Sequence, residues 1–237
     1  MMAIGRTPIF LQSVANHPKV FPSISMAGQG PIDLESLWPH CVAVQFERGG
    51  FLFHQLGTGY YEVHTLFLPK TREVDDCARQ ALHHMFTATD AMEIVTRVPA
   101  DLPHALALAK RGGFTERFRR FGAWPRDGYD VDVVYLGLTI DDWARENRDL
   151  LELGQRFHGM HEHKNHTEDP IHDAYVGLGL ACWQASQPDK GLWLYNRWAV
   201  FAGYEPQEMT AGAIHFDGVA LTMRDGEFVI EEMPPCL

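Results

Sequence analysis

At 237 residues, with 46% apolar and 22% charged side chains, the chain suits one large domain or a domain with a sizeable appendage, and it is not a disordered sequence. A net charge of −11 argues against binding to a phosphate backbone, which needs a basic face to displace counterions. No run approaches eighteen consecutive apolar residues and no basic-then-apolar leader opens the chain, so insertion into a membrane and secretion are not expected. Four scattered cysteines (Cys41, Cys77, Cys182, Cys236) lack paired spacing, which disfavours a zinc ribbon or disulfide framework and fits a reducing cytoplasm.

In chain order, Ile9–Asn16 reads as a strand or a first helix, stopped by His17-Pro18. Gly28–Pro31 is a loop and Ile32–Leu37 a short helix. Val42–Phe46 and Phe51–Leu56 flank Arg48-Gly-Gly50, a hairpin signal. A strand over Tyr60–Leu68 leads into a helix from Thr71 to about Phe86, where Val74, Ala78, Ala81, Leu82, Met85 and Phe86 form one apolar stripe. Thr71 is its predicted N-cap, and Glu73, Asp75 and Asp76 sit where the helix dipole favours negative charge. A strand over Met92–Val98 follows, then a helix capped by Asp101, with Pro103 in its first turn and Gly112 or Gly113 at its end. Strands Arg117–Trp124 and Val131–Leu138 are joined by the turn Pro125-Arg-Asp-Gly128. The basic run Arg117-Phe-Arg-Arg120 reads as a solvated strand face.

The pattern changes near residue 139, which divides the chain into domains 1–138 and 139–237, the second expected to pack on the first. One helix is predicted from Ile140 to about His163, then helices over Ile171–Ala185 and Lys190–Ala202, then strands turning at Asp217-Gly218 and Arg224-Asp-Gly226.

Three groups of side chains carry candidate chemistry. Glu62 and His64, two apart on a strand, share a face, and either could deprotonate an amine; the alternative is a hydrogen-bonded polar pair. The imidazole-rich run His158-Gly-Met-His-Glu-His-Lys-Asn-His166, with His172, fixes no third metal ligand by spacing, so no metal site is expected. Trp193, Tyr195, Trp198, Phe201 and Tyr204 form either an interaction surface or the core of the C-terminal region. No Gly-x-Ser-x-Gly, Walker or Rossmann glycine pattern is present.

The strand–turn–helix of residues 60–86, the strand Ile94–Val98 before Pro99-Ala-Asp101, and the helix ending in Gly113-Phe114 resemble the core of the GNAT acyltransferase superfamily, over roughly residues 8–138. Asn16-His-Pro-Lys-Val-Phe-Pro22, Tyr61-Glu-Val-His64 and Phe67-Leu-Pro69 resemble, more narrowly, GNAT-like proteins encoded among the late genes of tailed bacteriophages, as do Gln187-Pro-Asp-Lys190, Leu194-Tyr-Asn-Arg-Trp198 and Phe201-Ala-Gly-Tyr204. The resemblance implies an α/β (α+β) fold: a mixed, mainly antiparallel sheet flanked by helices, with a helical and β-hairpin appendage.

Three positions depart from the family's pattern. Its Arg/Gln-x-x-Gly-x-Gly/Ala loop holds the coenzyme pyrophosphate; aligned on Arg72, the glycine positions become Asp75 and Cys77. The loop residues Arg72, Val74, Asp75 and Asp76 therefore form a degenerate coenzyme site, where each like-charge contact at ~4 Å costs about 4 kcal/mol. The family's asparagine corresponds to Leu102, and the tyrosine used as general acid to Ala109. The expectation is a non-catalytic protein without coenzyme, a structural or assembly component of a tailed-phage virion. It would act through contacts with other chains, virion proteins or its own copies, in the host cytoplasm. The alternative is a divergent N-acyltransferase that takes acetyl-CoA and uses Glu62 or His64 as base.

Overall fold

The computed structural model describes the chain except residues 161–168, 204–205, 211–212, 217–218, 226 and 233–237, and at a few further positions describes only the backbone. Two compact units emerge: residues 1–85 with 91–140, and residues 86–90 with 141–237.

The first unit is built on a seven-stranded sheet: β1 (Ala3–Ile4), β2 (Cys41–Phe46), β3 (Gly49–Gly57), β4 (Tyr60–Phe67), β5 (Glu93–Pro99), β6 (Thr115–Arg126) and β7 (Tyr129–Thr139). The spatial order is β1-β2-β3-β4-β5-β7-β6, and only β4 and β5 run parallel. Helices α1 (Ile9–Ala15), α2 (Phe21–Ile24), α3 (Val74–Ala88) as far as Met85, and α4 (Pro103–Arg111) complete it; the last turn of α3, from Phe86, belongs to the second unit.

Of the two readings for Ile9–Asn16, the helix forms, because Leu11, Val14 and Ala15 bury one stripe against Leu52 and Leu66 of the sheet. The predicted helix over Ile32–Leu37 does not form. Side chains of and after α1 take that segment's backbone groups: Ile32 N–H donates to Asn16 Oδ1 (2.7 Å) and Leu34 N–H to Gln12 Oε1 (2.9 Å). Only a 3₁₀ turn, Trp38–His40, follows.

The β2–β3 hairpin is as predicted. Gly49 has φ +147°, and a Cβ there would lie 2.2 Å from the Leu66 carbonyl oxygen, so glycine is required. α3 starts three residues later than predicted. Thr71 is not its cap: its Oγ1 donates to the Leu68 carbonyl (2.6 Å), and left-handed backbone at Lys70 (φ 63°) and Glu73 (φ 62°) turns the chain before the helix begins. α4 is capped by Leu102 without a side-chain bond, because Asp101 instead accepts from Arg126 at 3.1 and 3.2 Å.

In the second unit, α5 (Ile140–Glu146), α6 (Arg148–Met160), α7 (Pro170–Gln184) and α8 (Pro188–Ala202) precede β8 (Glu208–Thr210), β9 (Ala213–Phe216), β10 (Val219–Arg224) and β11 (Glu227–Glu232), an antiparallel sheet in the order β11-β10-β9-β8. The single helix predicted from Ile140 breaks at Asn147, whose Oδ1 accepts from the N–H groups of Asp149 and Leu150 (3.0 and 3.2 Å) and so starts a new helix. α6, α7 and α8 approach one another through glycines: a Cβ at Gly177 would lie 1.9 Å from the Leu150 carbonyl oxygen, and one at Gly191 2.5 Å from that of Gly179. Half-buried Lys190 donates to the carbonyls of Phe86 (2.6 Å) and Thr89 (2.7 Å). Among the described residues, no helix is long and apolar enough to cross a membrane.

Candidate active site

β4 and β5 pair only from Tyr60–Glu93 to Glu62–Val95, although β4 runs on to Phe67 and β5 to Pro99. Beyond that point the strands part. A hydrogen bond from Thr96 Oγ1 to the Val63 carbonyl (3.1 Å) closes the junction. The opening is a cavity of about 930 Å³, walled by β4 from Val63 to Phe67, the start of α3, the inner side of α4, and α2.

The start of α3 supplies one end. Among the described residues, no acceptor takes the backbone N–H groups of Arg72, Glu73, Val74, Asp75 and Asp76, so the helix terminus is available to an anion. The loop's acids do not act as a bare repulsive cluster. Asp75 accepts a bidentate pair from Arg111 (2.9 and 3.2 Å), at the end of α4, and Asp76 is bonded to Arg79. Two of the three acids, Asp75 and Asp76, are thus each paired with an arginine. The left-handed φ at Glu73 also bears on the register of the family's loop. It identifies Glu73 as the position where glycine costs least; the pattern then starts at Lys70 and puts Glu73 and Asp75 at the glycine positions. These residues fit a pyrophosphate at the α3 terminus, and the unpaired edge of β4 fits an extended amide-containing arm beside it.

The two candidate bases have different surroundings. Glu62 is 5% exposed, does not line the cavity, and accepts a bidentate ion pair from Arg97 at 2.5 and 2.9 Å. His64 lines the cavity. Burial lowers its pKa; the Glu62 carboxylate opposes this, and Arg97 and His54 add to it. The imidazole is therefore neutral near pH 7 and able to accept a proton. Leu102 and Ala109, where the family has asparagine and tyrosine, also line the cavity.

The remaining candidates lie in the second unit. Trp198 is buried, stacked on Tyr175 (5.1 Å) and His172 (5.3 Å), whereas Trp193 and Phe201 are exposed and Tyr195 is half-buried. Tyr204 lies outside the described residues, as do residues 161–168 and the side chain of His158. No cluster of metal-ligating side chains occurs among the described residues.

A mixed sheet whose parallel central strands splay over a helix terminus is the fold of the GNAT acyltransferases. Solved structures agree. The spermidine N-acetyltransferase of Vibrio cholerae, determined with CoA and spermine, superposes with a TM-score of 0.51 at 15% identity, over 60% of this chain and 96% of that one. A protein assigned as a phosphinothricin N-acetyltransferase superposes with a TM-score of 0.50 at 14% identity, over 59% of this chain and 98% of that one. No protein-family model and no curated protein matches the sequence.

Proposed function

We propose that this protein is an acyl-CoA-dependent N-acyltransferase acting on a primary amine. The observation that carries the reading is the open cavity between the splayed β4 and β5, with the unpaired amides of the α3 terminus at one end and neutral His64 in its wall. The two solved neighbours, both named as N-acetyltransferases, support it.

The N–H groups of residues 72–76 would hold the pyrophosphate, and the open edge of β4 would align the arm by strand-like hydrogen bonds. Bound acetyl-CoA supplies a thioester activated toward amines. His64 accepts the proton that the amine loses on attack. Glu62, held by Arg97, does not reach the substrate; its charge favours the imidazolium that forms. Ala109 would offer no proton to the thiolate released, and the proton taken up by His64 balances the one that the thiol gains.

Calorimetric titration with acetyl-CoA tests the reading. Binding at micromolar concentration is expected. No heat up to millimolar coenzyme would overturn it and leave the non-catalytic reading, in which a borrowed fold works through protein contacts; the exposed Trp193 and Phe201 are the features that favour that reading. The link to phage virion proteins rests on the sequence resemblance alone.

A further inference from the structure

The half of the cavity facing α2 has a composition that selects among amines. Strand alternation places Leu52 and Leu66, which pack under α1, on the same sheet face as His64, so His64 is presented on the α1–α2 side. The cavity lining from α2 and its flanks, with the end of β6, is Val20, Ile24, Met26 and Trp124, and Trp124 is fixed by its Nε1 donating to the Ser25 carbonyl (3.1 Å). The charged side chains on this side are cations, Lys19 and Arg97. The only carboxylates lining the cavity, among the described residues, are Glu73 and Asp75, both at the α3 terminus, with Asp75 already bonded to Arg111. Glu62 is nearby but buried outside the lining, with both oxygens engaged by Arg97.

A polyamine entering this half would bring several ammonium groups into an apolar wall where no lining carboxylate replaces their water, where the Arg97–Glu62 pair carries no net negative charge, and where Lys19 repels them. An amine with one nitrogen on an apolar body meets no such penalty. It buries the body against Val20, Ile24 and Trp124 and leaves the nitrogen at His64. We infer that the acceptor is an apolar monoamine, aromatic or branched, and not a polyamine of the kind bound by the Vibrio cholerae structure. This rests on the acyltransferase reading.

The experiment is a calorimetric titration of the acetyl-CoA-saturated protein with 2-phenylethylamine and with spermidine, followed by acetyl transfer to each, read as thiol release. Phenylethylamine is expected to bind, and to be acetylated in kcat/KM, at least about tenfold better. Ile24→Glu is expected to lower the phenylethylamine value by about tenfold and raise that of spermidine. Equal or better use of spermidine would overturn the inference. So would a protein that binds acetyl-CoA but neither amine, in which case the coenzyme reading survives. Failure to bind acetyl-CoA would remove both.

Discussion

At the scale of single residues, His64 is the group on which rate and stability depend together. Its folded-state pKa lies below the ordinary value of 6.5, because burial opposes the charged form. A lowered folded pKa means that the unfolded chain binds the proton more readily, so the contribution to stability is complete above about pH 6.5 and is lost as pH falls through the folded value. Under the proposed acyl transfer the same sign applies: His64 is already neutral at pH 7, so the acid limb that it contributes to kcat/KM should lie below pH 6.5. His64→Gln should lower kcat about 10²–10⁴-fold and flatten that acid limb. An unchanged acid limb in a folded His64→Gln protein would assign the base elsewhere. Glu73 is the second informative residue, with its side chain lining the cavity at the α3 terminus and its backbone left-handed. Glu73→Gly removes an exposed charge, an effect of about 1 kcal/mol, or roughly fivefold tighter acetyl-CoA binding. It should do so at nearly constant stability, because the left-handed strain relieved, about 1 kcal/mol, offsets the entropy that glycine adds to the unfolded chain. Glu73→Ala should tighten binding comparably without that relief, and weaker binding by both variants would show that the carboxylate assists the coenzyme. None of this was legible in the sequence. A glutamate does not signal φ > 0, and a run of three acids gives no hint that Arg111, thirty-six residues away from Asp75, neutralises one of them.

At the scale of elements, the sequence pattern located β2 to β7, α3 and α4 of the first unit, whose burial follows the period of their own structure, but it left Ile9–Asn16 open and gave no sign of β1 or α2. It failed where side chains compete for the backbone. Asn16 and Gln12 consume the amides that a helix at Ile32–Leu37 would need, and Asn147 ends one helix and caps the next inside a continuous apolar pattern. Gly154, Gly177, Gly179 and Gly191 carried no sequence signal either, since a helical glycine usually reads as a weak point. Here these glycines set how closely α6, α7 and α8 approach. Gly177→Ala would gain about 1 kcal/mol of helix propensity in isolation, yet its methyl group would sit 1.9 Å from the Leu150 carbonyl oxygen, a contact that backbone cannot relieve by changing rotamer. The clash wins. The substitution should destabilise the second unit by about 1–3 kcal/mol, measured by urea denaturation, and a neutral or stabilising result would mean that α6 and α7 do not pack at this spacing.

At the scale of the whole molecule, the order of strands and helices carried the fold, whereas the proposed coenzyme site was obscured because the groups it would use reside in main chain. Five N–H groups at the start of α3 and an unpaired strand edge are independent of residue identity, so the loss of the glycines from the loop reads in the sequence as loss of the site. That difference can be measured. Amides without acceptors exchange their hydrogens quickly, and a bound pyrophosphate and arm would accept from them. Saturating acetyl-CoA should therefore slow exchange selectively in residues 72–76 and in those amides of 63–67 that face away from β3, well beyond any effect on α7 and α8, whose helical amides are already bonded. Since the cavity is lined wholly by the first unit, protection gained only in the second, or none at 63–67 and 72–76 with coenzyme demonstrably bound, would place the coenzyme outside the splayed strands.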